Sequence, residues 1–156
     1  MRVVQVIGFS NSGKTTLTKA LTEHFSVQGI AVAAVKHHGT GGRLVPDDTS
    51  DTGLFRQAGA KADMLVSQEE TIWNIRQALS IEQIVHVHKV IGTELLIIEG
   101  FKQGPYPKLV LHAEEALPAL ENAVLHVGKQ GSRTLEEALR EIDQIGEILW
   151  SKSAIV

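Results

Sequence analysis

Cysteine is missing from all 156 residues, which excludes disulfides and thiolate metal ligands. No run approaches the roughly 20 apolar residues needed to cross a bilayer. Arg2 precedes only five mostly apolar residues before a glycine-bearing loop, too little for a secretory core; a cytoplasmic protein with no membrane partner is the expectation. Positive charge is not in excess: 15 Lys and Arg against 18 Asp and Glu leave a net charge of -3. That balance gives no electrostatic reason to expect nucleic acid as a partner. Arginines are few, and no cluster of them flanks a lid-like insertion. A fast phosphotransferase usually needs such a clamp for the transferring charge. No N-K-x-D guanine motif occurs.

What is present is one α/β pattern, expected to form a single domain over residues 1–156. Val3 to Ile7 reads as a buried strand, and Leu17, Ala20, Leu21 and Phe25 mark one face of a helix over Thr15 to Phe25. Gly29 closes that unit and Ile30 to Val35 returns as a second strand, a β-α-β order that favours a parallel sheet. Residues 37–50 form a long polar loop of the kind that is usually functional or disordered. A short helix is predicted over Asp51 to Ala58 with Gly59 beyond its end, then strands over Ala62 to Ser67 and Thr71 to Arg76. Ser80 with Gln83 makes a capping box before a helical stripe of Ile81, Ile84, Val85 and His88. Glu94 to Ile98, Lys108 to His112 and Asn122 to Val127 are further strands. Thr134 with Glu137 is a second capping box. It opens a helix with Leu135, Ala138, Leu139, Ile142 and Leu149 on one face.

The stretch GFSNSGKTT, residues 8–16, fits G-x-x-x-x-G-K-[ST] through Gly8, Gly13, Lys14 and Thr15. It lies between a strand and a helix, as the motif requires. The chemistry explains the residue types. Glycines let the backbone wrap an anion closely. Backbone N–H groups and the helix N-terminus then face it. Lys14 supplies a full charge to the terminal phosphates, Thr15 a hydroxyl to Mg²⁺, and Thr16 is the candidate donor to the α-phosphate.

A Mg²⁺-phosphate site also calls for a carboxylate at the end of a buried strand, and LLIIE offers Glu99. It would hold Mg²⁺ through water or orient an attacking water; the plainer reading is a solvated acid at a strand end. In the polar loop one of Asp47, Asp48 and Asp51 would approach a γ-phosphate and its metal; for Asp47 and Asp48 a solvated loop is the favoured reading. Asp51 serves equally well as a helix N-cap. Lys36 and His37, ending the second strand, stand on the side where open α/β sheets bind ligands. His37 and His38 point to opposite sides and chelate poorly. His86 and His88 do not share a helix face, and the other histidines are scattered along the chain. In GFKQGPYP, Phe101 and Tyr106 are large rings in a stiff segment. They suit either a protein contact or local packing over the sheet end.

Taken in order, GFSNSGKTT, VKHH, DTGLFRQAGA and LLIIEGFK resemble the molybdopterin-guanine dinucleotide biosynthesis adapter family, MobB. The likeness runs from about Met1 to Lys108. It implies a P-loop NTPase-like three-layer fold with a mostly parallel sheet. It also implies a homodimer that binds GTP and Mg²⁺, hydrolyses GTP weakly, and assists a MobA-like guanylyltransferase in joining GMP to molybdopterin. The residues carried over for nucleotide are Gly8, Asn11, Ser12, Gly13, Lys14, Thr15 and Thr16, with Glu99 and Gly100 in the second motif. Lys36 and His37 stand beside them at the strand end. Thr15, Asp51 and Glu99 are the metal candidates, Lys14 and Glu99 the catalytic ones. Two positions depart from the family's pattern: Ser50 where relatives often have lysine, and His112 where they often have arginine. Gly128 and Lys129 are candidates to lie near the base. The alternatives are a small-molecule kinase using ATP, with Arg43 as its candidate finger, and a non-hydrolysing metallochaperone-like scaffold.

Overall fold

The computed structural model describes residues 1–39, 50–112, 120–128 and 133–156. Asp47, Asp48, Arg43 and Lys129 lie outside the described residues. The chain packs as two compact units. The first joins Met1–Gly39 to Ile81–Val156, and the second is Thr40–Ser80.

In the first unit the strands are β1 (Arg2–Gly8), β2 (Val32–Lys36), β5 (Leu95–Glu99), β6 (Lys108–His112), β7 (Ala123–Gly128) and β8 (Ala154–Ile155). Their order is β2-β5-β1-β6-β7, every neighbouring pair parallel. β8 runs antiparallel against Arg2 and Val3 of β1, ahead of the β6 register that starts at Gln5. No sequence pattern announced so short a strand. The helices are α1 (Lys14–Val27), α3 (Ile81–Val90), α4 (Leu135–Arg140) and α5 (Ile142–Lys152).

Strands buried on both faces read as continuous apolar runs, and LLII of β5 is at most 1% exposed. On one face Val4, Val6, Leu95, Ile97, Leu109 and Leu111 meet Leu17, Leu21 and Phe25 of α1 and Ile145 and Leu149 of α5. On the other, Val3, Leu96 and Ile98 meet Ile81 and Val85 of α3. The result is three layers, helix on sheet on helix, of the P-loop NTPase-like kind. The expected single helix from Leu135 to Leu149 is two: Glu141, at φ -101° and ψ 30°, interrupts it. Its carboxylate accepts from Arg133 Nε at 2.6 Å. The apolar stripe survives the break, because Ala138, Ile145 and Leu149 all stay buried. The Thr134–Glu137 capping box forms as expected.

The second unit contains α2 (Asp51–Gln57), β3 (Ala62–Val66) and β4 (Thr71–Ile75). Its two strands form an antiparallel sheet of their own, with Asp63 opposite Asn74 and Met64 opposite Trp73. Gly59, at φ +105°, follows the end of α2 as its glycine suggested.

Candidate functional site

Parallel register brings three strand ends to one place. Val6 of β1 and Lys36 of β2 both lie opposite Glu99 of β5. The chain then leaves β1 at Gly8 and enters α1 at Lys14. Two glycines are sterically required in between. A Cβ on Gly8 would come within 2.4 Å of Ser12 Oγ and 2.9 Å of the Leu111 carbonyl oxygen. Gly13 holds φ +89°, and a Cβ there would strike Leu135 at 2.4 Å. Asn11 also adopts a left-handed φ of 59°, a conformation asparagine tolerates better than most residues.

The side chains then assemble. Lys14 Nζ donates to the Phe9 carbonyl at 2.5 Å, so the lysine folds back over its own loop. Thr15 Oγ1 donates to Glu99 Oε2 at 3.0 Å. Lys36 Nζ donates to Thr15 Oγ1 at 3.2 Å and lies 3.5 Å from Glu99 Oε1. Glu99 is buried, its side chain only 7% exposed, while that of Lys36 is 61% exposed. Burial lowers the Lys14 pKa; the Glu99 charge opposes that shift, and Lys36 and Lys102 add to it. Three ammonium groups thus act on a site with one buried carboxylate, an excess of positive charge that suits a polyanion. Ser12 Oγ is buried without a hydrogen-bond partner inside this loop, a donor at hand for a ligand oxygen.

Thr16 is exposed on the first turn of α1. His37 follows β2; its N–H donates to the Glu99 carbonyl at 2.8 Å, and its ring lies 4.1 Å from that of Phe101. Gly100 donates from its backbone to the Val6 carbonyl at 3.0 Å. Gly8, Asn11, Ser12, Gly13, Lys14, Thr15, Thr16, Lys36, His37, Glu99 and Gly100 therefore all belong to the first unit and gather at the carboxyl ends of β1, β2 and β5. Asp51 belongs to the second unit, where it is the first residue of α2. It is not the N-cap: Ser50 is, its Oγ accepting from the Gly53 N–H at 3.2 Å. The serine that departs from the family's pattern thus has a structural task of its own.

A divalent cation would take hard oxygen donors, and the Thr15 hydroxyl with the adjacent Glu99 carboxylate is such a set. The carboxylate is not the solvated acid of the plainer reading. The donor chemistry fits Mg²⁺.

Several contributors carried little signal in the sequence. Gln5, in the apolar run VVQVI, is fully buried. Its amide donates to the Gly100 and Phe101 carbonyls at 3.0 and 2.7 Å, and its oxygen accepts from the Tyr106 N–H at 3.2 Å. It thereby braces the loop that follows Glu99. A lone polar residue in a buried strand was the available clue. Lys108, 2% exposed, donates to the carbonyls of Gly104, Tyr106 and Glu121 at 2.6, 3.3 and 2.9 Å. Burial lowers its pKa. Phe101 and Tyr106 are half-buried and pack against the core of Val3, Leu96 and Ile98, so local packing holds these rings. The scattered histidines include one spatial pair: His112 Nε2 and His126 Nδ1 are 2.8 Å apart on neighbouring strands.

The chain is similar to several known proteins. Residues 3–129 match the family model described as molybdopterin guanine dinucleotide synthesis protein B. A probable molybdopterin-guanine dinucleotide biosynthesis adapter protein of Bacillus subtilis is 36% identical over 121 residues, covering 76% of this chain and 70% of that protein. The molybdopterin-guanine dinucleotide biosynthesis adapter protein of Haemophilus influenzae is 29% identical over 150 residues, covering 92% and 83%. Among solved structures, the crystal structure of Bacillus subtilis MobB superposes with a TM-score of 0.78 at 27% identity, covering 95% of this chain and 98% of that one.

Proposed function

The chain belongs to the MobB family of molybdopterin guanine dinucleotide synthesis, and from that premise we propose that it is a GTP-binding adapter for guanylation of molybdopterin, with slow GTP hydrolysis. The observation that carries the nucleotide part is the convergence of Lys14, Thr15, Lys36 and Glu99 behind a glycine-pinned loop. In this reading the loop amides, Ser12 and Thr16 hold phosphate oxygens, and Lys14 offsets charge on the terminal phosphates. Thr15 and Glu99 hold Mg²⁺, which would shield the phosphate charge. In the same reading Glu99 orients a water. Asp51 is carried over as a further metal candidate from the resemblance alone.

The guanylyl transfer itself belongs to a MobA-like partner, with molybdopterin as the shared substrate. A homodimer is the proposed assembly. The second unit supports it: Met64, Leu65, Val66, Ile72 and Trp73 are between 44% and 66% exposed on a two-stranded sheet, more apolar surface than an isolated hairpin keeps in water.

The test is thermal stabilisation of wild type and Lys14→Ala by GTP, GDP or ATP with Mg²⁺. A ligand at 100 times its Kd adds about 2.7 kcal/mol, roughly 5–11 °C for a chain of this size. A GTP-selective shift lost in Lys14→Ala supports the adapter reading; an ATP-only shift favours a kinase.

A further inference from the structure

Lys36 lies on a donor set that a metal would need. Its ammonium donates to Thr15 Oγ1, whose own proton goes to Glu99 Oε2. The same ammonium pairs with the other oxygen, Glu99 Oε1. The three groups therefore close a ring in which the hydroxyl lone pair and one carboxylate oxygen both face a tethered cation. A divalent cation held by Thr15 and Glu99 would draw on the same oxygens. The ammonium and the metal would then compete for them.

We propose that Lys36 is an internal counter-ion that competes with the divalent cation for Thr15 and Glu99, and so sets how much metal the site requires. This rests on the reading of Thr15 and Glu99 as the metal donors. The placement of Lys36 suits exchange. It ends β2, which has β5 as its only strand neighbour among the described residues. Its side chain is mostly exposed, so leaving the ring costs little desolvation. A cavity of about 440 Å³, lined by Thr15, Thr18, Lys36 and Glu99 among others, lies beside the ring and gives the ammonium room to move. Glu99 has no such freedom. It is buried, and a buried carboxylate left without a cation is costly. A resident ammonium that yields to metal keeps that carboxylate neutralised throughout. Lys14 is less suited to this task, because its nitrogen is engaged by the Phe9 carbonyl.

The test uses Mn²⁺ alone, titrated into the nucleotide-free full chain and followed by electron paramagnetic resonance of the free ion. Lys36→Met keeps the apolar stem and removes the charge. It is expected to tighten Mn²⁺ by roughly three- to tenfold, the strength of a partly exposed ion pair. Lys36→Arg should stay near wild type. Adding Glu99→Gln to Lys36→Met should abolish the gain. Lys19→Met, which removes a lysine lining the same cavity, should leave Mn²⁺ affinity within about twofold. Mn²⁺ binding to Lys36→Met no tighter than to wild type overturns the proposal, as does an equal gain in Lys19→Met or Mn²⁺ bound by neither protein. Failure of every purine nucleotide to bind wild type would defeat the nucleotide reading separately, because the Mn²⁺ comparison uses none.

Discussion

Leu96, Ile97 and Ile98 of β5 have no exposed surface, whereas Leu65 and Val66 of β3 are more than half exposed. The first unit buries its strands between helices on both faces. The second holds a short hairpin beside a short helix, and among its described residues the best-buried side chains are charged: Arg56 and Asp63 are 1% and 2% exposed. Arg56 donates to Asp63 Oδ1 at 2.7 Å, and Asn74 donates to the same oxygen at 3.0 Å across the hairpin. The hydrogen bond from Arg56 is the chief cause of the lowered Asp63 pKa. One unit is thus stabilised by apolar burial and the other by a polar clasp. The lesson concerns where single substitutions do damage. A core of many apolar contacts loses a fraction when one is removed, whereas a clasp built on a few polar contacts loses a large share with its charged partner.

Four substitutions or conditions press on that comparison. The largest expected effect is Arg56→Met. It leaves the Asp63 carboxylate buried without its cation, so hydrogen-exchange protection of the β3 and β4 amides should vanish while that of β1 and β5 persists. Equal loss in both units would break the distinction. Ile97→Ala comes next, costing about 2–5 kcal/mol of the first unit's stability in denaturant melts. Thr134→Ala removes the cap of α4 and should cost about 1 kcal/mol, read as a lower melting temperature with nucleotide affinity retained. The smallest effect is acid sensitivity. Burial first, and the His126 charge second, lower the His112 pKa from 6.5; burial lowers that of His88. The folded state therefore binds fewer protons than the unfolded one in the window between 6.5 and the lowered folded values. This stability is present above 6.5 and is lost as pH falls from there through the folded values. Tm measured from about pH 7 to 5 should fall, and His112→Asn should flatten the slope.

The first unit was also the more legible. GFSNSGKTT and LLIIE each stand in the local context their chemistry needs, a strand end leading into a phosphate loop or a carboxylate. Local pattern therefore placed Lys14, Thr15 and Glu99 together. The strand pattern also marked Lys36 and His37 as strand-end residues. What periodicity did not carry was pairing at long range. Lys36 meets Glu99, and His112 meets His126, only because parallel strands fall in a given register. The strands over Ala62 to Val66 and Thr71 to Ile75 were readable as strands, but nothing local said that they pair with each other in a sheet of their own. The break at Glu141 went unseen because the apolar stripe continues across it. Phe101 and Tyr106 were ambiguous for a related reason: glycine and proline around a ring reveal stiffness and not what the ring touches.

The nucleotide reading stands on the loop from Gly8 to Thr15 enclosing phosphates. Equilibrium binding of GTP and ATP, with Mg²⁺, to wild type and Lys14→Ala tests it most directly. GTP should bind wild type, with a loss of about ten- to a hundredfold without the lysine, the worth of a charged hydrogen bond. No binding of any purine nucleotide by wild type, or equal affinity in the two proteins, would contradict it.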